Sequence, residues 1–436
     1  MAANMNVSAA VNATLVNVDV LIIGAGAAGL TAAYDLKRSS DNSFRILEAS
    51  SVIGGRLKKM PTGFADFPID IGGEWIHDEP TVLENITGVE VEVETIPYVD
   101  SYVEWEDGEW YSYGYYTEDY KFVNYTWFDL FNDYMAPDVL DHVDFDCQVE
   151  FIDWSTIPVE VSCSDGLRYF TANHVIVTVP MSVLQSDDIY FEPALPVETQ
   201  VAIDKYDFMS GMKVFMKYGE RFYREAFEFA SDYPYDEDWI NGSSRYFYSA
   251  TFGQDTDLNI LGSFSVGDTY EPFVNLTNEQ IFASINTQLD SVYEGQASEY
   301  FVEGYVQDWN DQPYIRGSYT HLDETPDEWD AIEELRLPLE DRIFFAGEAI
   351  PPYTYQFGNV HGAAYSGRAA AEKIMDLLGQ ADADLDASIS RTKSGEALEH
   401  SEKTHGSPSL SSSSRRTFVS HPVVSFCLTM FASYLV

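Results

Sequence analysis

Positive charge is scarce in this sequence: 24 Lys and Arg stand against 72 Asp and Glu in 436 residues, for a formal net charge of −48. Proteins that bind nucleic acid neutralise phosphates with a basic face, so that class is excluded. Cysteine is nearly absent as well. Cys147, Cys163 and Cys427 are too few for a disulfide scaffold, and no C-x-x-C pair or His/Cys cluster has zinc spacing, so no metal is expected. Cys147 and Cys163 flank an apparent hairpin turning near Ser155, and a one-residue change of register would move them to opposite faces. Two small buried thiols are the reading adopted. Residues 1–17 lack the basic n-region and long apolar h-region of an ordinary signal peptide. No internal repeat is present.

What is abundant is core material. Residues of the set AVILMFWYC make up 45% and aromatics 15%, enough for a large packed interior. At roughly 100–200 residues per domain the length suggests two or three units, or one fold with a second lobe inserted. A surface this acidic draws cations towards any concave site. Six N-x-[ST] sequons, starting at Asn6, Asn12, Asn85, Asn124, Asn241 and Asn275, point towards secretion. Residues 380–416 are rich in Ser, Asp and Glu and read as a disordered linker, ahead of an apolar stretch at 417–436 without Lys, Arg, Asp or Glu. That stretch has the ~20-residue length of a bilayer span. A tail anchor, a GPI-attachment signal and a plain apolar terminus all remain open, His421 and Pro422 counting against the first two. The expected location is accordingly membrane-associated or extracellular, otherwise cytoplasmic.

Residues 18–23, VDVLII, form a continuous β-branched apolar run, followed by GAGAAG and the Ala- and Leu-rich LTAAYDLKRSS. This is strand, glycine turn and helix. Gly24, Gly26 and Gly29 complete G-x-G-x-x-G, and FRILEAS at 44–50 gives a second strand ending at Glu48, 19 residues beyond Gly29. The first glycine permits the tight turn, the second admits a pyrophosphate to backbone N–H groups, and the third lets helix and strand pack closely. An acid at Glu48 suits the hydroxyls of an unphosphorylated ribose, so FAD or NAD fits and NADP does not.

Further along, SVIGGRLKKM at 51–60 offers a second glycine pair before Arg56, whose fork can reach a phosphate. Next comes PIDIGGEWIHDEP at 68–80, and residues 102–134 are crowded with Tyr and Trp, as in a pocket wall or cap core. QVEFIDW, PVEVSC and YFTANHVIVTV read as a three-stranded β-meander, and KVFMKY, NILGSFSV, EYFVEGYVQDW and the helix NEQIFASINTQLDSVY as an α+β lobe. RIFFAGE at 342–348 returns to a strand. HGAAYSGRAAAEKIMDLLG at 361–379 is a helix with a small-residue face, its N-terminus near Val360 suited to an anionic group.

The blocks VLIIGAGAAGLTAAYDL, ILEASSVIGGR, DIGGEWIH, HVIVTVPMSVLQ, RIFFAGE and VHGAAYSGRAAAEKI, in this order and spacing, resemble the FAD-dependent amine oxidases, the family of monoamine, polyamine and spermine oxidases. The resemblance covers about residues 18–378. It implies an α/β fold: a Rossmann-like FAD-binding domain with a β-meander from 18–80, 140–200 and 335–379, and an inserted α+β substrate domain from 81–139 and 201–334. On that likeness Gly24, Gly26, Gly29, Gly55 and Arg56 hold the pyrophosphate and Glu48 the ribose. Gly72, Gly73 and Trp75 line the isoalloxazine, Val149 gives backbone contact to adenine, Gly347 and Glu348 face the ribityl chain, and Val360 starts the helix beside the pyrimidine edge.

The same resemblance makes Lys213 the lysine that reaches flavin N5 through a water, and its alternation with Val214 and Phe215 makes it an inward-pointing cation. Tyr319 matches the aromatic over the flavin face. Ser318 occupies the position where monoamine oxidases carry a flavin-bonded cysteine, so the FAD is expected to be non-covalent. Asn359 departs from the tyrosine that completes the aromatic pair in many members and implies a more polar substrate pocket. His77 is expected to contact substrate, with Glu74 and Asp78 binding a distal ammonium. The implied reaction is oxidation of an amine, polyamines favoured, by FAD and O2, giving an imine, an aldehyde and hydrogen peroxide. The alternatives are an L-amino-acid oxidase using Arg316 for the carboxylate, and a non-catalytic flavin-binding surface protein.

Overall fold

A computed structural model describes residues 14–39, 42–98, 103–106, 109–112, 119–229, 244–322, 326–353 and 356–379. The expected linker at 380–416 and the apolar stretch at 417–436 lie outside these residues. Among the described residues no helix is long and apolar enough to cross a membrane.

The VDVLII run becomes the strand Thr14–Ile23. Its continuous apolar character follows from its place in the sheet: Val20 and Ile22 pack into one buried cluster, Leu21 and Ile23 into the cluster on the opposite face. Parallel neighbours are Phe44–Leu47 on one side and Arg168–Val177 on the other, with Val143–Asp144 and Ile343–Phe345 extending the parallel set. The meander forms as read: Val149–Asp153, Val159–Cys163 and Arg168–Val177 pair antiparallel in sequence. Together with Tyr190–Glu192 these strands make an eight-stranded mixed sheet.

The two thiols were misread. Cys147 and Cys163 form a disulfide with Cα atoms 5.3 Å apart. The register shift between Val149 and Phe151 sets Cys163 opposite Val149, an irregularity that simple strand alternation does not carry.

Helix Ala27–Ser39 follows the glycine turn, and helix Val360–Leu377 lies against it. Small residues allow the approach. A Cβ on Gly367 would sit 2.0 Å from the Ala28 carbonyl oxygen, and one on Gly29 would sit 1.9 Å from that of Gly24. Arg368 on the second helix donates to Asp35 on the first at 2.7 Å, and to the carbonyls of Asn85 and Ile86.

A second sheet has seven strands, in the order Phe301–Asp308, Gly211–Tyr218, Asn259–Val266, Ser244–Ser249, Ala226–Phe229, Val103–Glu106 and Glu109–Ser112. Helix Asn278–Val292 packs on it through Ile281, Ile285 and Leu289, its start fixed by a Thr277/Gln280 capping box. The aromatic stretch supplies the antiparallel strands Val103–Glu106 and Glu109–Ser112, the short strand Tyr120–Phe122 and the helix Trp127–Tyr134, whose Trp127 is fully buried.

Candidate active site

The glycine turn sits at the carboxyl end of the parallel strands, where α/β sheets bind ligands. Gly24 has φ 108°, a conformation that side chains rarely adopt, and Thr178 Oγ1 closes over it. Gly26 faces the other way. A Cβ built there meets only the Gly54 carbonyl oxygen at 3.9 Å, and one on Gly55 only the Gly26 Cα at 3.6 Å, so the two glycine loops pack in ordinary contact, joined by the Gly54 N–H donating to the Ala25 carbonyl at 2.8 Å. The first turn of helix Ala27–Ser39 presents its N–H groups there. Glu48 closes one side: Oε2 accepts from the Ala25 N–H at 2.8 Å and Oε1 from Ser50 N and Oγ, both at 2.8 Å. An ionised carboxylate has about four acceptor positions, so it keeps capacity for a ribose hydroxyl. Cys147 N–H donates to the Glu48 carbonyl, which ties Val149 and the meander to this edge.

Arg56 and Glu348, 292 positions apart, meet in the structure. The Arg56 guanidinium donates to Glu348 Oε1 and to the Ser318 carbonyl, both at 3.0 Å, and Thr320 Oγ1 donates to Glu348 Oε2 at 2.5 Å. Gly347 beside them has open space where a Cβ would be. Gly72 is the reverse case, since a Cβ there would lie 1.7 Å from the Arg56 carbonyl oxygen, while Gly73 N–H donates to that same oxygen.

The densest buried charge lies beside this glycine pair. Lys213, on strand Gly211–Tyr218, is only 1% exposed and donates from Nζ to the Gly72 carbonyl and to Glu74 Oε2, both at 2.8 Å. Lys121 Nζ donates to Glu74 Oε1 at 2.9 Å and Tyr248 OH to Oε2 at 2.6 Å. Burial alone would raise the Glu74 carboxyl. The charges of Lys121 and Lys213, with hydrogen bonds from Lys213 and Tyr248, outweigh it and bring the pKa down to about 2. Asp70, four residues earlier, goes the other way. Burial pushes its carboxyl well above the usual range, with Glu74 adding to the rise and only the Trp127 N–H and Lys213 opposing it. Phe264 packs between Lys213 and Tyr319, with Nζ 5.5 Å from its ring centre and the Tyr319 ring 6.4 Å away.

At the start of helix Val360–Leu377, Asn359 takes the N-cap position but its side chain makes no cap bond. Asn359 Oδ1, Gln356 Oε1, His361 Nδ1 and Trp75 Nε1 are all buried without a hydrogen-bond partner among the described residues. Such groups are costly to leave unmade. Together with the paired glycine loops at the helix N-terminus and the open space at Gly347 they fit a large polar-edged cofactor such as a flavin dinucleotide. Burial first, then the neighbouring His77, holds His361 down at about 3, so its ring is neutral at pH 7. His77 Nδ1 pairs with Asp119 Oδ1 at 3.0 Å.

Several expected roles change. Glu74 has both oxygens occupied by Lys121, Lys213 and Tyr248, so it is the counter-ion of two lysines rather than a free partner for a distal ammonium. Asp78 is at the surface, its Oδ1 accepting from the Glu79 N–H, and does not join the buried cluster. Trp75 keeps its expected place, its ring packed at 4.4 Å against Tyr98 and under Lys121 and its Nε1 without a partner among the described residues. Arg316 is 40% exposed and paired with Asp188. Sequence reasoning overlooked Lys121, Asp70, Tyr248 and Asp119. Lys121 carried a signal, as the only basic residue between positions 102 and 134, and Asp70 another, as an acid between two isoleucines.

The family model for flavin-containing amine oxidoreductase matches residues 27–136 and 128–375. The peroxisomal N(1)-acetyl-spermine/spermidine oxidase of Homo sapiens is 28% identical over 276 residues, covering 57% of this chain and 53% of that protein. Polyamine oxidase 3 of Oryza sativa subsp. japonica is 30% identical over 218 residues, 49% of this chain and 42% of that protein. The chain thus spans about half the length of these curated relatives. Among solved structures, wild-type putrescine oxidase bound to putrescine aligns with a TM-score of 0.68 at 19% identity, over 84% of this chain and 100% of that one. Cyclohexylamine oxidase from Brevibacterium oxydans IH-35A gives a TM-score of 0.68 at 18% identity, over 83% and 99%. At these identities the likeness is one of fold.

Proposed function

The chain belongs to the flavin-containing amine oxidoreductases, and from that premise we propose that it uses non-covalently bound FAD to oxidise a primary or secondary amine, polyamines favoured. The product imine is hydrolysed to an aldehyde, and dioxygen is reduced to hydrogen peroxide. The bound flavin supplies hydride acceptance and electron delivery to oxygen. Binding, orientation and proton handling fall to the protein.

The observation that carries the reading is Lys213. An ammonium has three donors, and the Gly72 carbonyl and Glu74 take two. On this reading the third serves the cofactor that Gly72 and Gly73 would line. A buried cation held so firmly next to a cofactor edge stabilises negative charge arising there. Tyr319 and Phe264 give a dry aromatic wall against which a neutral amine can lie. Arg56, Glu48 and the Gly26 and Gly55 loops would hold the dinucleotide, and Ser318, whose Oγ donates to the Met209 carbonyl, offers no thiol for a covalent bond. The net charge of −48 favours approach of a polycation. The relatives named as polyamine and acetylpolyamine oxidases support that substrate class.

The test is anaerobic titration of FAD-loaded protein with spermine, spermidine, a simple monoamine and an L-amino acid, following the visible flavin band. Bleaching by a polyamine, followed by peroxide formation on admitting air, is expected. Bleaching by the amino acid alone would favour the amino-acid oxidase, although Arg316, the cation needed for its carboxylate, is engaged with Asp188 at the surface. No bleaching by any of the four would refute amine oxidation.

A further inference from the structure

Lys213 is enclosed, so a proton it gives up has to be replaced from within the protein. Its hydrogen-bond partners lead in one direction. Glu74 holds Lys213 on Oε2 and Lys121 on Oε1, with Tyr248 also on Oε2. Lys121 in turn lines a cavity of about 20 Å³ together with the buried Asp70 and Glu74 and the half-buried Phe67, Tyr125 and Gln254. That volume accommodates one water, which needs two or more polar partners. Asp70 provides one: Oδ2 accepts from the Trp127 N–H, while Oδ1 is buried and has no partner among the described residues.

We propose that Glu74, Lys121 and the cavity beside Asp70 form a proton path between solvent and Lys213. The path rests on the oxidase reading above, because reoxidation creates the demand. Reduced flavin anion, dioxygen and one proton yield oxidised flavin and hydrogen peroxide; two electrons pass from flavin to oxygen, one proton leaves the flavin and the second comes from solvent. Lys213 delivers that second proton, Lys121 restores it through Glu74, and the cavity reloads Lys121. The charged and titratable groups facing the path are Glu74, Lys213, Lys121 and Tyr248, with Tyr98 and Asp129 adding to the field. Burial pushes the Asp70 carboxyl well above its usual range, which favours the protonated form, and its unpartnered Oδ1 lies at the cavity. Lys121 and Asp70 are relay and positioning residues that act through Lys213.

The experiment photoreduces the FAD-loaded protein, mixes it with oxygenated buffer and follows flavin reoxidation from pH 6 to 9 in H2O and D2O, so no amine is involved. Lys121→Met is expected to slow reoxidation about tenfold or more with a larger solvent isotope effect. Lys121→Arg is expected to recover most of the rate, and the near-isosteric Asp70→Asn to alter the pH profile. As a readout independent of turnover, the infrared spectrum of the resting protein is expected to show a carboxylic-acid carbonyl band that shifts in D2O and vanishes in Asp70→Asn. Wild-type rates and isotope effects in Lys121→Met and Asp70→Asn, or absence of that band, would overturn the path. Wild-type protein reoxidised no faster than free flavin would instead refute the oxidase reading and the path with it.

Discussion

Replacing Glu74 with glutamine removes the one negative charge that serves two buried lysines, and its cost follows from the site. The Glu74 carboxyl sits at about 2 rather than the ordinary 4.5, and at roughly 1.4 kcal/mol per pH unit that gap is worth about 3 kcal/mol of folding stability. Breaking a buried ion pair by deleting one partner costs about 3–5 kcal/mol, which agrees. The sign is fixed by the direction of the shift. A carboxyl whose folded-state pKa is depressed contributes fully above 4.5 and loses its contribution as pH falls towards 2. Urea unfolding of wild type and Glu74→Gln should therefore differ by about 3 kcal/mol at pH 6–8, with a melting temperature lower by about 4 °C in the variant, and the gap should narrow between pH 4.5 and 3. A difference below about 1 kcal/mol at pH 7, or one unchanged between pH 5 and 3, would refute the assignment of Glu74 as the shared counter-ion.

Three further outcomes are expected. Lys213→Met should keep the yellow cofactor but slow flavin reduction or reoxidation about 10²-fold, because Glu74 retains Lys121 while the cation beside the cofactor edge is lost; stopped-flow absorbance measures it, and unchanged rates would deny Lys213 its role. Gly72→Ala should cost more than about 2 kcal/mol and release the flavin, since its Cβ would strike the Arg56 backbone at 1.7 Å; an Ala variant with wild-type melting and FAD content would contradict the packing. Reduction of the Cys147–Cys163 bond, which spans 16 positions, should cost about 3 kcal/mol by loop entropy and weaken FAD binding through the Glu48 edge, measured by melting and by equilibrium dialysis with and without reductant.

Much of the nucleotide half was legible in the chain because its signals are local. A β-branched run apolar on every residue means a strand covered on both faces, and the glycine spacing reflects a turn whose φ and close approach are decided within a few residues. The meander, the capped helix at 278–292 and the small-faced helix at 360–377 follow from periodicities of 2 and 3.6.

Lys213 could be marked as an inward cation from strand alternation, but its counter-ion could not. Which carboxylate neutralises a buried lysine depends on elements brought together from positions 70–74, 121, 213 and 248, and no local periodicity links them. The same holds for Arg56 and Glu348, and for the disulfide, where one irregular register step decided whether two sulfurs met. Sequence alone thus determined the strand–turn–helix units and the family they belong to, because backbone sterics and hydrophobic periodicity act over a few residues. Tertiary structure decided the charge pairing, because desolvated charges are stabilised by whatever group the folded chain sets within hydrogen-bond reach.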